Sequence, residues 1–436
     1  MSKVKVAVVG SGISGLSAAY QLSKNPKADV TLIEASSKLG GHSYTYDMST
    51  PEGALPIDMG FLVHNDRTYP KLIQLFEELE IKTHPSEMSF SVHLEDIGLE
   101  WSGCNLYTVF SQKRNLLRPQ FHRMLLDILK FNKHARRYLI LVQNNKWSLK
   151  DLLSHEKYSE SFINWYLIPM GAAIWSTPAD QMLNFPAETF IRFSINHGLL
   201  QVSDRPQWKT VAGGSRVYVE KMARHIHNVQ KNNPVISLHQ ADDSLALQTH
   251  HGLQKYDHVV FACHSDQALR IARSLISDKA ANILSNIHYS DNTAHLHTDP
   301  SFLPKSKTTW AAWIYARATG GAQKQPVSIT YLINMLQPLP MKRPIIVTLN
   351  PHKKIDQSKI LHSVEFTHPV FDQNAIDAQK ELPTVQGDQN IWFCGAWTRY
   401  GFHEDGCMSG LNIGERLSAH IDSQMVNQPN ELVVSL

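Results

Sequence analysis

Apolar and polar residues alternate along the first part of the chain in the way expected of a β-α-β unit. Val4–Val9 is a short run rich in β-branched residues, which predicts a central parallel strand buried on both faces. Leu16–Ser23 carries apolar residues at helical spacing and predicts a helix. Val30–Ile33 is a second β-branched run, so we expect it to form the neighbouring strand.

Three glycines join the predicted first strand to the predicted helix. Gly10 permits a tight turn, Gly12 allows the backbone to approach a pyrophosphate, and Gly15 allows close packing of helix and strand. The helix N-terminus then offers free N–H groups to the phosphates. Glu34 lies about 20 residues past the loop, where a carboxylate can bind ribose hydroxyls. The pattern predicts a dinucleotide site, and the alternative is an ordinary glycine turn.

Further glycines follow the predicted ribose acid. The pair Gly40 and Gly41 indicates another close approach of the backbone to the dinucleotide. Gly60 lies inside the apolar run Ile57–His64, which is consistent with backbone packed against a flat ligand. Together these positions favour FAD over NAD as the bound dinucleotide.

The C-terminal part of the chain repeats the arrangement of strand, glycine-rich turn and helix. Asn390–Cys394 predicts a strand, and Leu411–Ile421 predicts a closing helix. The glycine-rich stretch between them, Gly395–Gly410, would again expose the N–H groups of a helix terminus. The alternative is a strand–helix unit that binds no ligand. In the middle of the chain, Tyr256–Ala262 predicts another strand.

Composition excludes several classes of protein. Of the 436 residues, 42% are hydrophobic and 19% are charged, so the chain can bury a sizeable core and is not disordered. Lys and Arg number 42 against 39 Asp and Glu, a net charge of +3, which is too balanced for a protein that binds nucleic acid through phosphate contacts. Four widely spaced cysteines fit a reducing compartment. No run approaches the roughly 20 apolar residues of a membrane span, so we expect a cytoplasmic protein.

The order of these motifs resembles the flavin-containing amine oxidase superfamily. The shared features are the first glycine loop, Glu34, the Gly-Gly pair, Asp58 with Gly60, and a terminal Gly-aromatic-x-Glu segment at Gly401–Glu404. The resemblance implies an α/β fold with a Rossmann-type FAD-binding domain and a discontinuous α+β substrate domain. His42 stands where that family has an arginine, so the contact with the pyrophosphate is expected to be weaker or pH-dependent.

The resemblance also implies domain boundaries and the residues that hold the cofactor. The FAD-binding domain is expected at 1–70, 207–270 and 385–425, the substrate domain at 71–206 and 271–384, and a C-terminal tail at 426–436. Since 368–390 contains no cysteine, the FAD should be non-covalent. The residues expected to bind FAD are Gly10, Gly12, Ile13, Ser14, Gly15, Glu34, Ala35, Lys38, Gly40, Gly41, His42, Met59, Gly60, Phe61, Val235, Gly395, Ala396, Glu404, Asp405 and Gly406.

A narrower resemblance covers nearly the whole chain. The segments Asp58–Asn65, Trp310–Trp313 and Thr330–Gln337 are similar to bacterial predicted NAD/FAD-binding oxidoreductases encoded beside cyclopropane-fatty-acid synthases. That context implies hydride removal from an unsaturated or methylated fatty-acyl chain. The alternatives are a flavin-dependent double-bond isomerase of fatty acids, an amine oxidase proper, and a flavin-free protein that binds prenylated partners. Phe402 counts against the amine oxidase because that family often has a tyrosine there.

Candidate catalytic residues follow from the same resemblance. His403 and Glu404 would lie at the edge of the flavin, with His403 as proton acceptor and Asp405 as its orienting partner. The alternative is that both residues only support the flavin site. Histidines number 23, but none has a complete set of metal ligands at recognisable spacing, so no metal site is predicted.

Two further stretches bear on the substrate. Phe162–Trp175 is rich in aromatic and small residues. This composition is typical both of the wall of a lipid tunnel and of an ordinary hydrophobic core. Residues 112–146 hold nine Lys or Arg with Asp127 as the only acidic residue, and leucines are interleaved. The stretch predicts a basic amphipathic helix. Its basic side is either a solvated face or a surface for transient association with an anionic membrane, at the inner membrane face.

Overall fold

A computed structural model describes residues 3–175, 179–201, 205–317 and 328–426 of the chain. From residue 427 onward, the predicted C-terminal tail lies outside the described residues. The strands are β1 Val4–Val9, β2 Ala28–Ile33, β3 Thr45–Thr50, β4 Gly53–Asp58, β5 His64–Asn65, β6 Thr83–Ser86, β7 Phe90–Leu94, β8 Leu99–Ser102, β9 Trp208–Val211, β10 Asn228–Gln230, β11 Val235–Ala241, β12 Ser244–Thr249, β13 Gly252–Tyr256, β14 His258–Phe261, β15 His288–His297, β16 Trp313–Arg317, β17 Ser328–Leu332, β18 Ile346–Leu349, β19 Ile360–Val370 and β20 Ile391–Phe393.

Helices connect and cover these strands. The α-helices are α1 Ile13–Ser23, α2 Pro70–Glu78, α3 Leu106–Val109, α4 Pro119–Asn145, α5 Leu149–His155, α6 Glu160–Phe162, α7 Ile168–Trp175, α8 Ala179–Met182, α9 Ala187–Asn196, α10 Arg216–Ala223, α11 Ser265–Ala272, α12 Asp278–Ser285, α13 Ile333–Leu336, α14 Gln373–Glu381 and α15 His403–Val426. A π-helical turn, Ile163–Leu167, joins α6 to α7.

A parallel sheet of five strands, in the order β10-β2-β1-β14-β20, forms the first layer. The predicted strands at 4–9, 30–33, 256–262 and 390–394 are confirmed and are four of its members. Val6 and Val8 are fully buried, as expected of a central strand that is covered on both faces. Every strand of this sheet lies within the three stretches predicted for the FAD-binding domain.

A mixed sheet of seven strands, in the order β19-β15-β18-β17-β16-β7-β8, forms the second body of the fold. Its strands all come from the stretches predicted for the substrate domain. Within this sheet, as far as the structure describes it, β16 and β7 pair in parallel and the other neighbours are antiparallel. Helices α4 to α9 pack beside it, and α4 contacts α6 and α9 directly. The predicted α/β class, with a Rossmann-type domain and an α+β domain, is confirmed.

The closing helix differs from its prediction at its N-terminus. It begins at His403, eight residues before the predicted start. The glycines of this stretch suggest a loop in the sequence, but in the structure they lie inside the helix, at positions where it contacts its neighbours. A Cβ atom on Gly410 would lie 2.1 Å from the carbonyl oxygen of Ser14 in α1. A Cβ atom on Gly414, one turn later, would lie 2.8 Å from the side chain of Gln21, which also belongs to α1. The two glycines therefore let α15 approach the backbone of α1.

The predicted basic helix is interrupted near its start. Lys113–Leu117 forms a short 3-10 turn, and α4 begins only at Pro119. Arg118 has an extended backbone because the ring of the following proline disfavours the helical conformation there.

We predict that Gly410→Ala lowers the thermal unfolding midpoint of the protein. The added methyl group overlaps the Ser14 carbonyl and forces α15 away from α1, a change that costs about 1–3 kcal/mol. The matched control is Asn412→Ala, an exposed position two residues further along the same helix. An equal midpoint for Gly410→Ala and the control, by circular dichroism, would contradict this account of the helix contact.

Candidate functional site

A large cavity of about 1020 Å³ lies between the parallel sheet and the substrate domain. On one side it is bounded by the segments that follow the carboxyl ends of β1, β2, β14 and β20, the edge where parallel α/β sheets bind ligands. Most residues predicted to hold the cofactor line it together, although they come from distant parts of the sequence. These are Gly10, Gly12, Ile13, Ser14, Glu34, Ala35, Gly40, Gly41, His42, Gly60, Phe61, Val235, Gly395 and Ala396.

Six predicted cofactor residues do not line the cavity: Gly15, Lys38, Met59, Glu404, Asp405 and Gly406. Gly15 and Gly406 are packing positions, because a Cβ on Gly15 would lie 1.8 Å from the Gly10 carbonyl and one on Gly406 would lie 2.7 Å from Ile13. Met59 is buried in the core, and the ammonium group of Lys38 lies over the ring of Tyr44.

The glycine loop leaves a backbone edge open to the cavity. Gly10 has a φ of +101°, which a residue with a side chain rarely adopts. A Cβ atom on Gly12 would meet no described atom within 4 Å and would project into space that a ligand can fill. The N–H groups of the first turn of α1 have no partner within the helix. This edge fits the pyrophosphate of a dinucleotide in shape and charge.

Glu34 lies at the end of β2, where a ribose is expected. One of its carboxylate oxygens accepts hydrogen bonds from the backbone and the hydroxyl of Ser11, at 2.8 and 2.6 Å. The other accepts from the backbone of Ser36 at 2.8 Å. Each carboxylate oxygen can accept two bonds, so the oxygen facing Ser36 keeps one site for a ribose hydroxyl.

His42 is buried and electrically neutral. Its ring stacks on Phe366 at 4.8 Å and lies 5.0 Å from the ring of His368. Burial, with the nearby histidines as lesser causes, lowers the pKa of His42 well below its usual value. Its Nε2 atom has no hydrogen-bond partner among the described residues, so a ligand in the cavity can supply one. His42 therefore contributes a neutral polar contact in place of the charge that an arginine would bring.

His403 and Tyr218 form the polar centre of the site. The Nε2 atom of His403 lies 2.6 Å from the Tyr218 hydroxyl, which also contacts the Ser43 hydroxyl. Phe61 stacks on the His403 ring at 3.8 Å between centroids. Burial lowers the pKa of His403 to about 3 and raises the pKa of Tyr218 well above its usual value. Both groups are therefore uncharged at neutral pH, and Tyr218, rather than the predicted Asp405, orients the histidine.

Glu404 binds the start of another helix instead of facing the cavity. Its two carboxylate oxygens accept hydrogen bonds from the backbone N–H groups of Lys71 and Leu72, at 2.8 and 2.9 Å. These N–H groups belong to the first turn of α2, where a carboxylate is stabilised by the helix dipole. The geometry gives Glu404 a structural role and corrects its predicted catalytic role.

Asp405 is buried one residue further along α15. One of its oxygens accepts a hydrogen bond from the backbone of Phe402 at 3.0 Å, and Arg399 lies 3.8 Å from the other. Burial is the main cause that raises the pKa of Asp405 to about 7. The carboxyl group is therefore partly protonated near neutral pH, and it fixes the turn before α15.

Aromatic rings close the cavity beside the start of α15. Phe402 stacks on Phe193 with centroids 4.5 Å apart and an angle of 18°. His197 stacks on the same Phe193 at 3.8 Å, and Trp175 lies edge-on to Phe402. Since the rings of Phe402 and Phe193 are in contact, no amine group fits between them.

The substrate-domain wall of the cavity is mainly apolar, although Asn132, Gln201 and Arg205 also line it. From the predicted segment 162–175, Tyr166, Met170 and the run Ala173–Trp175 contribute to the wall, whereas Phe162 and Leu167 are fully buried core residues. The apolar and aromatic residues that line this side are Phe90, Trp101, Val109, Leu125, Ile128, Tyr166, Met170, Ala173, Ile174, Trp175, Phe193, Leu199, Trp313 and Tyr331.

Several lining residues on the FAD-binding side escaped the sequence analysis. Cys263 and His264 directly follow the predicted strand 256–262, so the carboxyl-end rule for parallel sheets could have found them. Trp397 folds over Gly395 and donates a hydrogen bond to the Cys263 carbonyl at 3.2 Å. Burial raises the pKa of Cys263 to about 12, so its thiol is a poor nucleophile.

No group of three or more His, Cys, Asp or Glu side chains in the described ranges is arranged to hold a metal ion. None of the helices described above has the length and apolar character needed to cross a bilayer.

We predict that the stability difference between the wild type and Asp405→Asn depends on pH. The pKa of Asp405 is higher in the folded protein than in the unfolded chain, so its protonated form stabilises the fold fully below about pH 4. This contribution is lost as the pH rises through about 7. Asparagine keeps the acceptor for the Phe402 N–H without a charge. The free energy of unfolding of Asp405→Asn, relative to that of the wild type, should therefore rise by a few kcal/mol between pH 4 and pH 8. The control is Glu415→Gln, an exposed position on the same helix. Urea unfolding at several pH values measures the difference, and a constant difference would contradict the burial argument.

Solved structures with the same fold include several oxidases and an isomerase. Cyclohexylamine oxidase from Brevibacterium oxydans IH-35A has a TM-score of 0.69 and 14% identity, and covers 96% of this chain and 100% of its own. The CLA-producing fatty acid isomerase from P. acnes has a TM-score of 0.67 and 13% identity, with 95% and 98% covered. Putrescine oxidase bound to putrescine has a TM-score of 0.67 and 17% identity, with 97% and 99% covered. At these identities the likeness establishes the fold.

Sequence comparison identifies the family. No curated protein sequence matches this chain. The family described as "flavin containing amine oxidoreductase" matches residues 13–336, about three quarters of the chain. Its cofactor is FAD, which fits the open glycine edge, the free oxygen site of Glu34 and the unpartnered His42 nitrogen. The chain therefore belongs to the flavin containing amine oxidoreductase family and is an FAD-dependent oxidoreductase.

Proposed function

We propose that the enzyme removes hydride from an unsaturated or methylated fatty-acyl chain, as a desaturase does. The observation that carries the proposal is the continuous cavity, which extends from the glycine loops of the FAD-binding domain to Leu125 and Ile128 of α4. A binding site for a small polar substrate would not need an apolar wall that reaches from the flavin site to α4. An extended acyl chain fits a long apolar cavity that ends at the flavin site.

The charges around the cavity support an uncharged reacting group. Among the described residues, the only carboxylates that line it are Glu34 and Glu87. Glu34 belongs to the cofactor side, and Glu87 is exposed at the rim. A protonated amine buried beside the flavin would therefore have no carboxylate partner, which is costly in an apolar site. Contact between Phe402 and Phe193 also leaves no aromatic gap for it. These features favour an acyl chain over an amine.

The cavity walls and His403 have different roles in the proposed reaction. Bound FAD supplies a two-electron acceptor for hydride. The aromatic and aliphatic walls exclude water and align the chain, which lowers the entropic barrier to reaction. His403 is the group proposed to take the proton from the neighbouring carbon; since burial lowers its pKa to about 3, it holds this proton only transiently and passes it on. A consistent assignment has its Nε2–H donating to Tyr218, whose hydroxyl donates to Ser43, so that Nδ1 remains an acceptor.

A double-bond isomerase is the second candidate. The favouring observation is the fold shared with a fatty acid isomerase over 95% of this chain. An isomerase returns the hydride to a different carbon of the same chain, so it needs the same apolar cavity and no external electron acceptor. The two candidates differ only in whether electrons remain on the cofactor after turnover.

We predict that unsaturated or methylated acyl chains bleach the visible flavin band of the purified enzyme under anaerobic conditions. Phospholipids that carry these chains are added in detergent micelles, because micelles deliver the acyl chain without a bilayer. Saturated straight-chain phospholipids are the matched control, and cyclohexylamine and putrescine test the amine alternative. Bleaching by an amine with none by any lipid would overturn the acyl proposal. A persistent flavin band with a displaced double bond, detected by mass spectrometry, would indicate the isomerase.

We predict that His403→Gln slows flavin reduction by the acyl substrate by about 100-fold or more, the usual effect of losing a proton acceptor. Glutamine keeps a polar side chain of similar length, so FAD should remain bound, as the visible spectrum will show. His258→Gln is the matched control, because His258 is also buried in the FAD-binding domain and does not line the cavity. Unchanged reduction by His403→Gln would remove the proposed role of His403.

A further inference from the structure

Large apolar side chains are exposed mainly on one stretch of the chain. Ten such side chains are exposed among the described residues, and seven of them lie between residues 106 and 140. Their exposed fractions run from 52% to 87%, far above the value for core residues. A cluster of this kind marks an interaction surface rather than a random scatter. The seven are Leu106, Tyr107, Leu116, Leu117, Leu126, Leu129 and Ile140.

Helix α4 presents two adjacent apolar faces to different surroundings. Leu125, Ile128 and Asn132 lie on one face and line the cavity. Leu126 and Leu129 lie one position further along, about 100° around the helix, and are exposed. One helix therefore separates the substrate cavity from the exposed apolar surface.

The cavity reaches the surface beside α3. Gly103 and Cys104 both line the cavity and are exposed, so the cavity opens there. Leu106 and Tyr107, which follow in α3, are among the most exposed apolar side chains. This opening of the cavity and the exposed apolar surface are therefore adjacent.

Positive charge surrounds the exposed apolar residues. Lys113, Lys133 and Arg136 are exposed, and no carboxylate lies within ion-pair distance of them in the part of the chain that the structure describes. Asp127, the only acidic residue between 103 and 146, is buried and accepts hydrogen bonds from Arg123 and the Ser159 backbone. The surface thus combines free positive charge with protruding apolar groups.

We propose that this surface, comprising α3, the 3-10 turn Lys113–Leu117 and the exposed face of α4, docks on an anionic phospholipid bilayer and admits acyl chains to the cavity. Free basic residues complement anionic headgroups, and the exposed leucines can enter the acyl layer. A second copy of the same surface is disfavoured as the partner, because like charges would meet in a symmetric interface. The inference rests on the proposed function, since it supplies the route by which a bilayer lipid reaches the flavin site.

The test measures binding of the FAD-loaded enzyme to vesicles by co-sedimentation. Vesicles of phosphatidylglycerol and phosphatidylcholine are compared with vesicles of phosphatidylcholine alone. We expect binding to the anionic vesicles that weakens as salt is raised, and at least tenfold weaker binding to the neutral ones. Equal binding to both vesicle types, or no binding to either, would overturn the proposal; a protein partner would then be the remaining occupant of the surface.

Two variants locate the docking surface. Leu126→Ser with Leu129→Ser should weaken vesicle binding at least tenfold, because two apolar groups that enter the acyl layer are lost. The matched control is Ile236→Ser with Leu253→Ser, which removes equally exposed apolar groups of the FAD-binding domain. Lys133→Gln with Arg136→Gln should weaken binding to anionic vesicles by about fivefold for each lost charge. If either of the two double variants in α4 bound vesicles as tightly as the wild type, the assignment of the docking surface to this face would be overturned.

Flavin reduction separates this proposal from the proposed function. The Leu126→Ser, Leu129→Ser variant should reduce its flavin at the wild-type rate with acyl chains in detergent micelles and more slowly with the same lipids in vesicles. Vesicle binding without flavin reduction by any lipid would keep the docking surface and reject the acyl substrate. Reduction in micelles without vesicle binding would keep the substrate and reject the docking surface.

Discussion

The close contact between the first and last helices is the constraint on which the rest of the site depends. Gly410 brings α15 against the Ser14 carbonyl of α1, and a Cβ at Gly406 would already overlap Ile13. This contact fixes the start of α15 beside the glycine loop after β1. As a consequence, Gly395, Ala396 and His403 line the same cavity as Gly10 and Gly12, although nearly 400 residues separate them. The FAD-binding site exists only because backbone, rather than side chains, fills the space between these helices.

Burial keeps the inner site uncharged. It lowers the pKa of His403 to about 3, of His368 to about 4 and of His42 well below its usual value. It raises the pKa of Asp405 to about 7, so that this carboxyl group also loses much of its charge. A neutral, apolar surrounding suits an uncharged acyl chain, because no charge has to be desolvated when the chain binds. The same surrounding would make a buried ammonium group expensive.

Helix α4 connects the cavity with the outside of the molecule. Its 27 residues form a buried face, a face toward the cavity and an exposed face. Phe131 and Tyr138 on the buried face hold it in the substrate domain, so its other two faces keep fixed positions. A rigid helix in this position can form a wall of the substrate site and a contact surface at the same time. In the proposed docking, one face of α4 would serve the reaction and another would serve the entry of lipid.

The sequence by itself determined the elements whose signals are local. Val4–Val9 and Gly10 to Gly15 predict a strand and a phosphate loop because turn chemistry and burial pattern act over a few residues. Most of the residues that the family resemblance assigned to the cofactor also line the cavity. Only the tertiary structure decided what the polar residues at the start of α15 do. Glu404 binds the backbone of α2, and His403 pairs with Tyr218 from a helix nearly 200 residues away. Such partners depend on how distant helices pack, and neighbouring residues in the sequence carry no trace of that packing.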